Sequence, residues 1–143
     1  MKLSVIIPVF NEELTIKKII KSVESSPVDL QEIIVIDDCS TDSTKQILNE
    51  INSPLVRIFY NKSNKGKGYS LKRGFSEAKG EICIVQDADL EYDPNEFPKL
   101  IQPILENKAD VVYGSRFQGS GPHRVVYFWH RVGNGFLTLI NNF

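Results

Sequence analysis

The chain has 143 residues and a mass of 16.2 kDa, the size of one domain, with 41% apolar and 24% charged residues, a balance that excludes intrinsic disorder. Two cysteines, Cys39 and Cys83, exclude a disulfide framework, and no C-x-x-C pair exists for zinc or redox chemistry, so a reducing, cytoplasmic setting is expected. The net charge of −1 argues against nucleic acid as a partner, but it hides an asymmetry. Residues 1–110 contain all 18 acids and 14 of the 17 Lys and Arg residues, a net −4, whereas residues 111–143 carry Arg116, Arg124 and Arg131 and no acid, a net +3, with His123 and His130.

Met1-Lys2 leads straight into an apolar run that soon reaches Pro8 and Asn11-Glu12-Glu13, which is not the pattern of a secretory leader. No window of 18 uncharged apolar residues offers a membrane-spanning helix. Residues 3–9 read as a first strand, and Ile16, Ile19, Ile20 and Val23 follow at i, i+3, i+4, i+7 as a helix face. Residues 33–36 read as a second strand, followed by a helix carrying Thr44, Ile47, Leu48 and Ile51, with Asp42 or Ser40 as its cap. Residues 56–60 read as a third strand, and the turn that follows is rich in glycine and lysine and opens a helix. Residues 82–85 read as a fourth strand. Asp93 then caps a helix with Pro94 at its first position, and Phe97, Leu100, Ile101, Ile104 and Leu105 form its apolar face, with Pro103 expected to kink or shorten it. Residues 111–113 read as a fifth strand.

Alternation of β and α segments without a repeated sequence predicts an α/β fold with a mostly parallel central sheet flanked by helices. The apolar runs are continuous, as expected of strands buried on both faces. The expected organisation is a core over residues 1–117, then a loop and an amphipathic helix over 118–143. Trp129, Val132, Phe136, Leu137 and Ile140 share one face of that helix, while Tyr127, Phe128, Leu139 and Phe143 widen the apolar surface. Such a helix is expected to be buried, to pair between protomers as a homo-oligomer, or to touch a membrane surface through residues 123–143.

In open α/β sheets, ligands bind beyond the carboxyl ends of the strands. Acids cluster there. Asp87-Ala88-Asp89 ends a buried run, and two carboxylates so close repel unless a cation lies between them. Hard oxygens select Mg²⁺ or Mn²⁺, Glu91 adds a third oxygen, and such sites usually share the metal with substrate phosphates. Asp37-Asp38 has two readings: acids near a helix start, or a carboxylate that accepts a nucleobase N–H or a ribose hydroxyl. The stretch 61–74, with Gly66, Gly68 and Gly74 among Lys62, Lys65, Lys67 and Lys72, is read either as a phosphate-holding turn or as an ordinary flexible turn with solvated lysines. Cys39 and Cys83 are assigned to packing, and His123 and His130 to surface or interface.

In order, Pro8-Val9-Phe10-Asn11-Glu12-Glu13, Asp37-Asp38-Cys39-Ser40-Thr41-Asp42, Asn64-Lys65-Gly66-Lys67-Gly68, Asp87-Ala88-Asp89-Leu90-Glu91 and Gly114-Ser115-Arg116-Phe117 resemble the inverting family 2 glycosyltransferases. Within them the chain is most similar to the dolichol-phosphate mannose synthase group and its polyprenyl-phosphate hexosyltransferase relatives. The resemblance implies a GT-A fold, a GDP-mannose or UDP-glucose type of donor, and Mg²⁺ or Mn²⁺. Pro8, Phe10 and Glu12 would line the nucleotide pocket, Asp38 with Asp37 would contact base or ribose, and Asp87 and Ala88 would contact the donor. Asp89 and Glu91 would hold the metal, and Arg116 would stabilise donor or acceptor phosphate, so Asp89 and Arg116 carry the catalytic role. The implied acceptor is a polyprenyl or dolichyl phosphate at the cytosolic face of a membrane, with the protein peripheral on it. Glu91 stands where Gln is common and Cys39 where Gly is frequent. Relatives continue past residue 143 into segments that complete the acceptor site, so the second reading is a truncated, non-catalytic domain that binds nucleotide sugar and metal. A signalling receiver domain is the remote third, because receivers place their acid pair after the first strand.

Overall fold

The computed structural model describes residues 1–114. Met1–Val112 forms one compact unit, and a second unit spans Tyr113–Phe143. Arg116, His123, His130, the boundary at residues 117 and 118, and the helix expected within 123–143 lie outside the described residues. The elements run β1 (Leu3–Val9), α1 (Ile16–Glu24), β2 (Leu30–Asp37), α2 (Thr44–Asn49), β3 (Val56–Tyr60), α3 (Lys67–Glu77), β4 (Ile82–Val85), a 3₁₀ turn (Pro94–Glu96) and α4 (Phe97–Leu105).

Four parallel strands stand in the order β3-β2-β1-β4. The side-chain period of two divides β1 and β2 between two layers. Leu3, Val5, Ile7 and Val9, with Ile33 and Val35, share a core with Ile16, Ile19, Ile20 and Val23 of α1, Leu48 of α2 and Phe97 of α4. Ile6, Ile34 and Ile36 face the other way, against Leu71 of α3 and Phe59. Both faces are therefore covered, which is why the apolar runs do not alternate with polar residues. Each such side chain contributes about 1.5–3 kcal/mol relative to leaving it in water.

The α3 layer depends on close approach. A Cβ at Gly74 would lie 2.4 Å from Cγ2 of Ile6, so only glycine lets the helix sit this near β1. At the far end of the same face, the register pairs Ser4 with Glu32. Glu32 is 3% exposed and accepts from Ser4 Oγ at 2.9 Å, from the Lys79 N–H at 2.6 Å and from Arg57 Nη1 at 2.6 Å. Burial opposes its charge, but these hydrogen bonds and the guanidinium prevail and hold its carboxyl below the usual glutamate range. Arg57 also donates to the Glu77 carbonyl at 2.8 Å, fastening the end of α3 to the sheet.

Asp93 caps as expected, accepting from the Asn95 N–H at 2.9 Å, but what it starts is the 3₁₀ turn that leads into α4. α4 runs through Pro103 and stops at Leu105, and α2 is a short helix of 6 residues that ends before Ile51. Two expectations fail. Residues 111–113 are not a strand: Val111 is 64% and Tyr113 89% exposed, and neither has a ladder partner among the described residues. Three apolar residues without a neighbouring strand have no reason to stay extended. Cys83 is exposed on β4 rather than packed.

Candidate active site

The strand order turns at β1. The chain steps outward through β2 and β3, then returns to β1's other side with β4. Loops after β1 and β4 therefore diverge, and a crevice opens between them. A cavity of about 230 Å³ lies there, bounded by Pro8 at the end of β1, Phe10 and Glu12 after it, Asp38 after β2, Lys67 and Ser70 of α3, and Asp87, Ala88 and Asp89 after β4.

The loops around it are held in unusual backbone conformations. Asn11 (φ 56°), Cys39 (φ 64°), Gly66 (φ 84°) and Leu90 (φ 63°) lie in the left-handed region, one in each loop that meets the cavity edge. Asn and Gly tolerate this conformation, whereas Leu and Cys are strained by it. A positive φ at position 39 is the physical reason glycine suits that place.

The loops after β1 and β2 brace each other. Asn11 N–H donates to Ser40 Oγ at 3.0 Å, Thr41 N–H to Asn11 Oδ1 at 2.8 Å, Glu12 N–H to Thr44 Oγ1 at 2.8 Å and Ser43 N–H to Glu13 Oε2 at 2.9 Å. Asp42 accepts from Thr44 N–H at 2.9 Å at the start of α2 and from Glu13 N–H at 3.2 Å. Its burial is outweighed by these bonds, which hold its carboxyl below the ordinary aspartate range. Ser40 does not cap the helix; it bonds Asp37 through both its hydroxyl and its N–H.

The adjacent acids do different work. Asp37 is 1% exposed, lies off the cavity wall and binds Ser40. Asp38 lines the cavity, but its carboxylate is occupied by the glycine-rich turn. Oδ1 accepts from Asn61 Nδ2 at 2.7 Å and Lys65 N–H at 3.0 Å; Oδ2 accepts from Lys65 N–H at 3.0 Å and Gly66 N–H at 2.7 Å. Burial disfavours its charge, yet the bonds from Asn61, Lys65, Gly66 and Ser70 hold its carboxyl below the usual aspartate value. Asn61 is itself held by Arg73, whose Nη1 donates to Asn61 Oδ1 at 2.8 Å.

After β4, the buried Gln86 side chain donates to the Asp87 and Tyr92 carbonyls at 3.0 and 3.2 Å and closes the turn. Asp89 Oδ1 accepts from Glu91 N–H at 3.0 Å. Asp87 Oδ1 meets Lys67 Nζ at 2.6 Å across the cavity. Seven sequence candidates thus share one cavity: Pro8, Phe10, Glu12, Asp38, Asp87, Ala88 and Asp89. Asp37 and Glu91 are not on its wall. Lys67 and Ser70 are; Lys67 enters only through the phosphate-turn reading of residues 61–74, and Ser70 is not singled out.

Among the described residues, no three His, Cys, Asp or Glu side chains converge as a metal cage. Two carboxylates on an open cavity wall suit a hard divalent cation that takes its remaining oxygens from water and a bound phosphate. The donor set therefore fits Mg²⁺ or Mn²⁺ shared with a ligand.

Residues 4–139 match Glycosyl transferase family 2. The chain belongs to this family. It is 37% identical over 123 residues to a dolichol-phosphate mannosyltransferase of Pyrococcus furiosus, covering 85% of this chain and 35% of that one. It is 35% identical over 116 residues to an undecaprenyl-phosphate 4-deoxy-4-formamido-L-arabinose transferase of Pseudomonas fluorescens, covering 76% and 34%. The chain thus spans about a third of the length of these relatives. Among solved structures, glucosyl-3-phosphoglycerate synthase from Mycobacterium tuberculosis with Mn²⁺, UDP and glucosyl-3-phosphoglycerate superposes with a TM-score of 0.59 at 30% identity, covering 73% of this chain and 39% of that one. TarS 1–349 of S. aureus in complex with UDP superposes with a TM-score of 0.66 at 27% identity, covering 85% and 38%. The fold of this family 2 chain is α/β of the GT-A kind. The receiver reading falls with that match, and the acid pair follows β2 rather than β1.

Proposed function

We propose that this family 2 chain binds a nucleotide sugar and, with a divalent metal, serves an inverting transfer of a hexose from a GDP- or UDP-sugar to a polyprenyl or dolichyl phosphate. One observation carries the reading: the cavity at the β1/β4 switch point has an aromatic wall at Phe10 and a carboxylate wall at Asp87 and Asp89. A nucleoside diphosphate needs both, one for its flat base and one, through a cation, for its phosphates. Neighbours with this fold are solved in complex with UDP, and relatives are named as dolichol-phosphate or undecaprenyl-phosphate sugar transferases.

In this reading Pro8 and Phe10 pack on the base, and the bracing of Asn11 and Glu12 by the β2 loop keeps them in place before the ligand arrives. Preorganisation of this kind lowers the cost of binding. Asp38 shapes the wall by fixing the glycine-rich turn. Asp87 and Asp89, joined by Glu91, would hold the cation, which when bound neutralises the charge that develops on the departing diphosphate. Arg116 would add a second positive charge there. A phosphate acceptor is already anionic at neutral pH, so the displacement calls for no strong general base. The basic, aromatic residues 123–143 would meet the anionic surface of the cytosolic leaflet, and the protein would be peripheral on it.

A thermal-shift panel of GDP- and UDP-sugars with and without Mn²⁺ tests the reading. A ligand at a hundredfold its Kd adds about 2.7 kcal/mol to folded-state stability, so the correct donor stands out from the wrong base. Asp89→Ala, at an exposed turn, is expected to leave the fold intact and abolish the Mn²⁺-dependent part of the shift. A panel with no shift, or an Asp89→Ala variant with the full shift, overturns it. Adding polyprenyl phosphate and following labelled sugar separates transfer from donor binding without turnover.

A further inference from the structure

The glycine-rich turn runs into α3 beside the cavity and is fastened there by acids that follow two different strands. The buried Asp38 carboxylate takes the N–H groups of Lys65 and Gly66 and the amide of Asn61. The next residue, Lys67, reaches Asp87 at 2.6 Å, with the Lys67 side chain 57% exposed and Asp87 23% exposed. The two fastenings differ in kind. Several charge-assisted bonds on a buried carboxylate form a fixed hinge, whereas a solvent-exposed ion pair is weak and easily exchanged. Gly66, the last residue of the first fastening, directly precedes Lys67, at φ 84° and with open space where a Cβ would stand. The weak fastening ends on Asp87, an acid of the wall assigned above to the cation.

We propose that Lys67 is an exchangeable latch on the site. Its ammonium serves as the counter-ion of Asp87 and ties the glycine-rich turn across the cavity, and a divalent cation arriving at Asp87 and Asp89 displaces it. The two strand-end carboxylates are thereby kept from repelling each other before the cation binds, and cation binding frees the start of α3 while the Asp38 hinge stays closed. Metal occupancy and the position of the turn are then coupled, because one carboxylate cannot hold both partners equally well. The inference rests on the metal reading of Asp87 and Asp89 given above.

Mn²⁺ binding to the full chain, followed by the paramagnetic resonance of free Mn²⁺, tests it in the wild type, Lys67→Gln and Lys67→Arg. Loss of an exposed competitor is expected to tighten Mn²⁺ binding about two- to fivefold in Lys67→Gln, while Lys67→Arg stays near wild type. Hydrogen exchange over residues 64–72 supplies a second readout. Saturating Mn²⁺ is expected to speed exchange in the wild type and to leave Lys67→Gln, already unlatched, unchanged. Equal or weaker Mn²⁺ affinity in Lys67→Gln, or Lys67→Arg behaving like Lys67→Gln, overturns the latch and leaves the metal reading standing. Absence of Mn²⁺ binding in the wild type and both variants overturns the metal reading and the latch together.

Discussion

Asp38→Asn separates a residue that builds the site from one that only touches a ligand. The substitution keeps shape and volume but turns one acceptor oxygen into an NH₂ group. If that group takes the Oδ2 place, it faces the N–H groups of Lys65 and Gly66, now at 3.0 and 2.7 Å from an acceptor. If the amide flips, it faces Asn61 Nδ2, at 2.7 Å, and Asn61 cannot turn over in response without losing the 2.8 Å bond from Arg73. Either way a donor held by the carboxylate loses its acceptor, a buried one if it is Asn61 Nδ2, and the bonds that survive lose their charge assistance. Bonds to a charged group contribute about 1.5–3 kcal/mol each and an orphaned buried donor costs about 1–3 kcal/mol. Relief of the buried charge offsets part of this. The expected net loss is about 2–3 kcal/mol of unfolding free energy, read from urea denaturation at neutral pH without any ligand. Hydrogen exchange at Lys65 and Gly66 should accelerate in parallel. A loss below about 0.5 kcal/mol with unchanged exchange would refute the assignment of Asp38 as the hinge of the turn.

Other consequences are as direct. Gly74→Ala drives a methyl to 2.4 Å from Ile6 Cγ2 and should cost about 1–3 kcal/mol, a penalty largely absent in an Ile6→Ala background that itself loses about 2–5 kcal/mol; additive losses in the double-mutant cycle would show that the two do not meet. Leu90→Asn replaces a strained residue at φ 63° by one that tolerates the left-handed region, and since Leu90 is 43% exposed the melting temperature should rise, by about 0.5–1 kcal/mol of stability. Glu32, Asp38 and Asp42 all have carboxyls held below their ordinary values of 4.5, 3.8 and 3.8. Their contribution is complete above those values and is lost as pH falls through the lower folded-state ones. Urea midpoints should therefore be flat at mildly acidic pH and drop below about pH 4, with a shallower drop in Glu32→Gln.

Much of the candidate site was legible because it follows from local rules. The apolar runs marked β1, β3 and β4 at their observed limits; coverage on both faces accounts for β1, whereas β3 is half-buried and β4 exposes Cys83 and Val85. The acids that follow β2 and β4 stood out because a buried strand has no other use for charge at its end. Ile16, Ile19, Ile20 and Val23 declared α1 by period, and all four are buried.

What those rules do not reach is non-local. Strand order, and with it the crevice between β1 and β4, depends on ladder pairing across the fold. Residues 111–113 have strand-like composition but lack a neighbouring strand among the described residues. Asp37 and Asp38 are adjacent and alike in sequence, yet the pleat sends one to Ser40 and the other to the glycine-rich turn. Lys67 reads as one solvated lysine among several until the β1/β4 crossover brings Asp87 within 2.6 Å of it. The acidic surplus behind the −4 of residues 1–110 was written in the chain itself, because charge is a property of composition. Which of those acids hold loops and which remain on the cavity wall was decided only by packing, because that depends on the donors the tertiary structure brings within reach.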